Sequence, residues 1–470
     1  MKQRRFYSGE HNRCAFFQSN YKSRRRYLVE SKKYTKADIH RIVTEEDIKF
    51  IRLQFVDILG SLKNVAITVD QLDKALNGEI MFDGSSISGF VRMEESDMYL
   101  IPDLDTFVSF PWRTHQSKVA RLICDIYTTT EEPYGDDPRG ILKHAISEAK
   151  AMGFAFDLRP EFEFFLFHTD ENGDPTTITH DKAGYFDLGP MDLGENVRRD
   201  MVLTLEEMGF KIRASHHEDA PGQHEIDFES ADAIMMADQI VTFKLVVKVV
   251  AQKHGLHATF MPKPLSHING SGMHINMKLK DQQGKNVFYD EGNTLKLSKT
   301  AYYFLGGLLA HAKAITAITN PTVNSYKRLV PGFEAPVHIG WSTSNLSPLV
   351  RIPTVRGEEA LLELRSPDPS CNPYLGLAVI LKAGLDGIKN KTMPPEMMNS
   401  DQLRAISNIL SEDTLPSDLK EAIVELSKDQ VIKEALGTVY DSYIKAKGFE
   451  WDAYQKQVHA WEVDTYTSRY

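Results

Sequence analysis

An α+β protein is what the sequence predicts: a small β-rich domain followed by a larger one that mixes strands and helices. Three observations carry this. The chain has 470 residues, more than one hydrophobic core usually fills. Apolar residues alternate in short runs at 50–56 and 65–69, on either side of the Gly60-Ser61 turn, and a further strand-like run covers 119–127. Beyond the Pro- and Gly-punctuated stretch 131–138, helix-like segments at 138–152 and 231–254 mix with strand-like ones at 154–167 and 270–279. The expected division is a basic extension over 1–34, a first domain over 35–132 and a second over 138–470.

Composition narrows the class. With 42% hydrophobic and 26% charged residues the chain resembles folded globular proteins rather than disordered ones. The longest apolar stretch, 240–251, is interrupted by Lys244 and Lys248, short of the roughly 20 residues a membrane span needs. A formal charge of -10 argues against a nucleic-acid partner. Three widely spaced cysteines, Cys14, Cys124 and Cys371, suit a reducing compartment, so a cytoplasmic protein is expected. The first 33 residues are rich in Lys and Arg and hold only Glu10 and Glu30 as acids; they read as a disordered tail rather than a targeting or nucleic-acid segment.

Four acid-bearing segments carry the chemistry. In 159–167 Glu161 and Glu163 sit two apart in an otherwise apolar strand, so both carboxylates share one face, continued by Phe165 and Phe167. A carboxylate in such surroundings needs a cation. In 216–225 Glu218 and Glu225 flank a Pro221-Gly222 turn that brings them together, and four acids so placed call for a divalent ion with oxygen ligands. In 269–278 a glycine-rich loop becomes a strand with His274, Asn276 and Lys278 on one face and Met273, Ile275 and Met277 on the other. In 361–365 Glu363 and Arg365 again share a face.

Together these segments resemble type I glutamine synthetases, in the shorter, feedback-regulated bacterial subgroup, from about Thr35 to the C-terminus. The motifs run in the family's order: 55–60 (FVDILG), 81–86 (MFDGSS), Glu161-Phe162-Glu163, His217-Glu218 with 222–225 (GQHE), 269–274 (NGSGMH), 320–329 (NPTVNSYKRL), 331–336 (PGFEAP), 351–353 (RIP) and Glu363-Leu364-Arg365.

The resemblance implies a β-grasp-like first domain and a catalytic domain built on an antiparallel sheet flanked by helices. It implies ligation of ammonia to the side chain of glutamate, driven by ATP through an acyl phosphate. Two Mg²⁺ or Mn²⁺ ions are implied, one held by Glu163, Glu218 and Glu225, the other by Glu161, His274 and Glu363. Asn269, Gly270, Arg328 and Arg365 would bind glutamate, and Arg351 would steady the phosphoryl group. Asp57, Tyr185, Glu218 and Glu334 would collect ammonium and take its proton, Glu334 lying on a loop that closes over the site. The resemblance further implies two stacked six-membered rings, with Asp57 supplied by a neighbouring subunit, glutamine inhibition through Arg92, and a possible transcriptional regulator as partner. No tyrosine lies between Tyr374 and Tyr440, so the other subgroup's adenylylation site is missing.

Three positions depart from the pattern. Leu346 replaces an arginine in 345–347, Leu361 replaces one two residues before Glu363, and Lys278 replaces a serine of some relatives. Both leucines fall where ATP phosphates are contacted, which leaves a weakened paralogue or a ligase for a larger amine as alternatives. Lys278 is the expected compensating cation.

Overall fold

A computed structural model provides the architecture and describes residues 34–87, 97–113, 117–128, 132–343, 347–398 and 413–470. The basic tail up to Lys33, Arg92 and the Asn345-Leu346 pair lie outside the described residues.

The first domain opens with α1 (Lys36–Glu45), capped when Thr35 accepts from Asp38 N while Asp38 accepts from Thr35 N. Tyr34, assigned to the tail on sequence grounds, belongs here: its N–H donates to Asp105 at 3.0 Å and its ring meets Phe107 edge-on. β1 (Ile48–Val56) and β2 (Leu62–Thr68) form a hairpin, followed by α2 (Leu72–Leu76), β3 (Ile80–Asp83), β4 (Asp97–Ser109) and β5 (Lys118–Tyr127). The sheet order is β2-β1-β5-β4-β3, with β1 and β5 parallel and the other pairs antiparallel.

Asp137 caps α3 (Pro138–Ala151), with Pro138 in the first turn where its missing N–H costs nothing. The second domain is then organised around β6 (Ala155–Thr169), the longest strand. β7 (Pro175–Thr179), β8 (Ile212–His217), β9 (Gln223–Phe228), β10 (Ala231–Asp232), β11 (Leu256–Thr259), β12 (Met273–Lys280), β13 (His338–Ser342), β14 (Pro348–Arg351) and β15 (Leu362–Leu364) join it in one sheet. Its main path is β13-β14-β15-β12-β6-β9-β8, with β7, β10 and β11 also paired to β6. All pairs are antiparallel except β13–β14, which is parallel.

Alternation along β6 decides which face is core. Phe162 and Phe164 are fully buried against Phe243 of α5 (Ala233–Lys253), with α4 (Glu195–Glu207) beside it. Met273, Ile275 and Met277 of β12 enter the same core. The remaining helices that matter are α6 (Lys299–Ala310), α7 (Ala312–Thr319), the single turn α8 (Ser325–Arg328) and the buried α9 (Pro373–Asn390). Asn372 caps α9 through its Oδ1 and donates from Nδ2 to the carbonyls of Asp57 and Ile58, tying the first domain to the second. A second tie is Arg139, 3% exposed, which pairs with Asp103, Asp125 and Asp238 at 2.7 to 2.9 Å. Among the described residues no helix is long and apolar enough to cross a membrane.

Candidate active site

The face of β6 opposite the phenylalanines is the acidic one, and strand register collects the other acids around it. Glu161 lies across from His274 on β12 and from Asp227 on β9, Glu163 across from Glu225, and Glu363 on β15 across from both Asn276 and Arg351. Phe165 and Phe167 continue the face as predicted, but form a small separate cluster with Ala220.

Two ligand groups result. The oxygens of Glu161 and Glu363 and a ring nitrogen of His274 lie within 4.8 Å of one another, and so do those of His216, Glu218 and Glu225. Glu163 stands between the groups: its Oε1 is 3.8 Å from His274 Nε2, while its Oε2 accepts from Gln223 Nε2 and Gly272 N, both at 2.9 Å. A Cβ on Gly272 would lie 2.6 Å from Arg328 Nη2 and 2.9 Å from His274 Nε2, so only glycine lets the loop come this close.

Electrostatics divide the acids. Burial would raise Glu161, but His274, Asn276 and Arg159 outweigh it and bring it down to about 2. Burial and then Glu163 push Glu218 up to about 7; burial and then Asp227 hold Glu225 well above the carboxylate range. Glu218 and Glu225 share a hydrogen bond, which two ionised carboxylates cannot. A divalent cation would take the place of that shared proton. In the other group His274 turns Nδ1 to Glu161 and Glu363, 3.8 and 4.0 Å away, and its Nε2, on the side of Glu163, finds no hydrogen-bond partner. Each group offers carboxylate oxygens and one imidazole, a donor set that could hold a divalent metal ion.

Behind the turn 218–223 sits a buried network of Asp181, Asp192, His217 and His224. Its charges compensate internally: Arg198 donates to Asp192 at 2.8 Å and contacts His224 Nδ1 at 2.9 Å, and His217 Nε2 pairs with Asp181 at 2.9 Å. Asp181 also accepts from Gly222 N, so the network fixes the turn that delivers Glu218 and Glu225.

The cationic residues are more constrained than the sequence suggested. Arg365 and Arg351 each hold one oxygen of Glu363, the latter at 2.9 Å. Arg328 is 2% exposed and gives its Nη atoms to the carbonyls of Arg365, Ser366 and Pro367. Lys278 shares the face of His274 as predicted, yet it donates to the Glu358 carbonyl at 3.0 Å and pairs with Glu359 at 3.7 Å, pinning the segment Gly357–Glu359. Leu361, immediately before β15, is buried at 4% exposure.

Asn269 reaches Asp219 at 3.4 Å, and Gly270 lies against the Pro262 carbonyl and Arg328. The exposed Tyr185 stacks on Phe186 and meets His216 edge-on. The exposed Glu334 shares a hydrogen bond with Asp219; partial desolvation and Asp219 hold its carboxyl above the usual range against the pull of Arg365. Asp57 is not brought to this cluster within one chain. Its carboxylate accepts from Leu59 N and Ser61 N and lies 3.4 Å from Lys63. Reading motifs singly had passed over Gln223, Asp219 and Lys263; Gln223 could have been found, because it shares the β9 face of Glu225 and Asp227.

Residues 135–466 match the family model described as the glutamine synthetase catalytic domain, and 47–129 the one described as the glutamine synthetase β-grasp domain. The chain belongs to the glutamine synthetase family. Its relatives include a glutamine synthetase of Clostridium saccharobutylicum, 58% identical over 93% of this chain and all of that protein. Another, of Staphylococcus aureus, is 55% identical over 93% of this chain and 99% of its own. Among solved structures, a GmaS/ADP complex superposes with a TM-score of 0.85 at 33% identity, covering 92% of this chain and 99% of that one. A Plasmodium falciparum glutamine synthetase gives 0.82 at 27% identity, with the same coverage.

Proposed function

We propose that the acidic face of the second sheet is where this chain performs the family's reaction, joining ammonia to the side-chain carboxylate of glutamate at the expense of ATP. The observation that supports this most is the pairing of two ligand groups across one strand, with Glu163 between them and the glycine-rich loop 269–272 against it. Bound there, two divalent ions would supply charge neutralisation for the phosphoryl group and an in-line template for its transfer. Glu161, His274 and Glu363 would hold one, and Glu163, Glu218 and Glu225 the other, with His216 within reach. A solved neighbour described as an ADP complex supports a nucleotide as substrate.

The chain's own residues then do the following. Arg328 braces the 365–367 main chain, so its role with glutamate falls to its remaining Nη2 hydrogen and its field, while Arg365 and Gly270 complete the pocket with Asn269. The glutamate side-chain oxygen attacks the γ-phosphorus of ATP, ADP departs, and Arg351 steadies the group in flight. Ammonium yields a proton to a carboxylate among Asp57, Glu218 and Glu334, with Tyr185 at the entrance, and the ammonia nitrogen displaces phosphate from the acyl carbon. Glu334 on its loop keeps water from competing. The reading requires a second subunit to bring Asp57, and the assembly proposed is the double hexameric ring in the cytoplasm, with Arg92 serving glutamine inhibition and a transcriptional regulator as a further partner. Glutamine formation that vanishes on dilution to monomer and returns on reassembly tests the shared site; a fully active monomer would refute it.

A further inference from the structure

The loop bearing Glu334 and the loop bearing Asn269 and Gly270 meet at one side chain that the reaction does not use. Lys263 is 6% exposed, and its ammonium donates to the carbonyl of Ile268, one residue before Asn269. The same ammonium stands over the ring of Phe333, 3.2 Å from its centroid, one residue before Glu334. Its backbone is fixed in turn: Lys263 N donates to Asn324 Oδ1 at 2.8 Å, and Asn324 Nδ2 donates to Lys263 O at 3.0 Å, on the segment that leads into Arg328. Pro262, next to it, accepts from Ser271 N at 2.8 Å. Lys263 therefore touches, directly or through adjacent residues, the segments that carry Asn269 and Gly270, Arg328, and Glu334.

We infer that Lys263 is a positioning residue that latches the Glu334 loop onto the glutamate loop through its cation–π contact with Phe333. A cation over an aromatic face is weak in water and stronger when desolvated. Here the ammonium is largely removed from solvent, and burial, followed by the nearby Arg328, brings its pKa down to about 8. Phe333 is half-buried while Glu334 is exposed, so the ring anchors the chain immediately before the carboxylate, which on its own side meets Asp219 of the turn. With glutamate bound against Asn269 and Gly270, the Ile268 carbonyl and the Lys263 ammonium would be steadied together, which links filling of the glutamate site to closure of the loop.

The inference rests on the reading of Glu334 as an acid of the ammonium site, and its test separates the two. Lys263→Gln keeps a polar stem and removes the charge. Chymotryptic cleavage after Phe333 in the substrate-free, assembled enzyme should quicken by roughly 2- to 30-fold, the range a contact of this kind confers on an open–closed equilibrium. Lys263→Arg, whose guanidinium also stacks on rings, should stay near the parent. In the same enzymes the KM for ammonium should rise more than kcat falls. Phe333→Leu should raise that KM by a similar factor, and the double variant by no more than either alone. Unchanged cleavage in a Lys263→Gln enzyme of parental Tm, or strictly additive effects of the two substitutions, would overturn the latch. Glu334→Gln serves as the control: unimpaired turnover there would remove the role given to Glu334, while the cleavage rates would still judge the latch.

Discussion

Glu218 and Glu225 make the metal-free protein sensitive to pH in a way that can be worked through. Glu218 ionises at about 7 in the folded chain against an ordinary 4.5, so charging it there costs about 3 kcal/mol more than in the unfolded chain. A raised carboxyl binds its proton more tightly when folded. Its contribution is therefore complete below about 4.5 and is lost as pH rises through about 7. Glu225, also raised, adds in the same direction, whereas Glu161, held down to about 2, is ionised throughout the window and adds nothing. The chelated enzyme should lose stability between about pH 5 and about pH 8, and Mg²⁺ or Mn²⁺ should stabilise it far more at the upper end. Saturation at a hundredfold excess over Kd gives about 2.7 kcal/mol, a shift of a few degrees in Tm. Glu225→Gln leaves an amide that can donate to Glu218, so the chelated variant should exceed the parent in stability at about pH 8 and gain little from the ions. Because parent and variant share every other group of the site, the difference between them isolates the carboxylates. Thermal unfolding with and without ions at the two pH values is the assay. Equal stability of chelated parent and variant at about pH 8, with the same response to the ions, would refute the reasoning.

Other substitutions probe the same face. Glu163→Ala should abolish turnover and also lower Tm, because Gln223 and Gly272 lose an acceptor worth roughly 1–3 kcal/mol each when buried; activity within a few-fold of the parent would remove Glu163 from the ion site. Gly272→Ala, whose methyl would crowd Arg328 and His274, should cost about a hundredfold in kcat while far-ultraviolet circular dichroism stays unchanged. Replacing Leu361 and Leu346 together by arginine should raise kcat/KM for Mg·ATP at least about tenfold, since a charge-assisted bond to phosphate is worth roughly 1.5–3 kcal/mol; no change would show the leucines to be harmless.

How much of this was legible in the sequence depended on distance along the chain. The period-2 pattern of β6 and β12 is a local signal, and it correctly sent Phe162, Phe164, Met273 and Ile275 to the core and Glu161, Glu163 and His274 to the other face. Ligand grouping came from resemblance, and the grouping of Glu161, His274 and Glu363 reappears in the geometry. What stayed hidden was set by non-local pairing. Arg328 is spent on carbonyls 37 to 39 residues away, and Lys278 on the carbonyl of a residue 80 away, which no spacing rule reveals. The contact of Asp219 with Glu334 and that of Lys263 with Phe333 likewise join loops whose separate sequences carry only turn signals. The parallel pairing of β13 with β14 was invisible for the same reason, both strands being short and without a distinguishing period.

The central claim, that this face activates glutamate with ATP and then accepts ammonia, is tested most directly by following phosphate and glutamine together in the assembled enzyme with glutamate, Mg·ATP and either ammonium or a polyamine. The account predicts one phosphate released per glutamine formed, dependence on both glutamate and ammonium, and no reaction with the polyamine. Phosphate release that ignores ammonium, or a product formed with the larger amine in preference to glutamine, would contradict it.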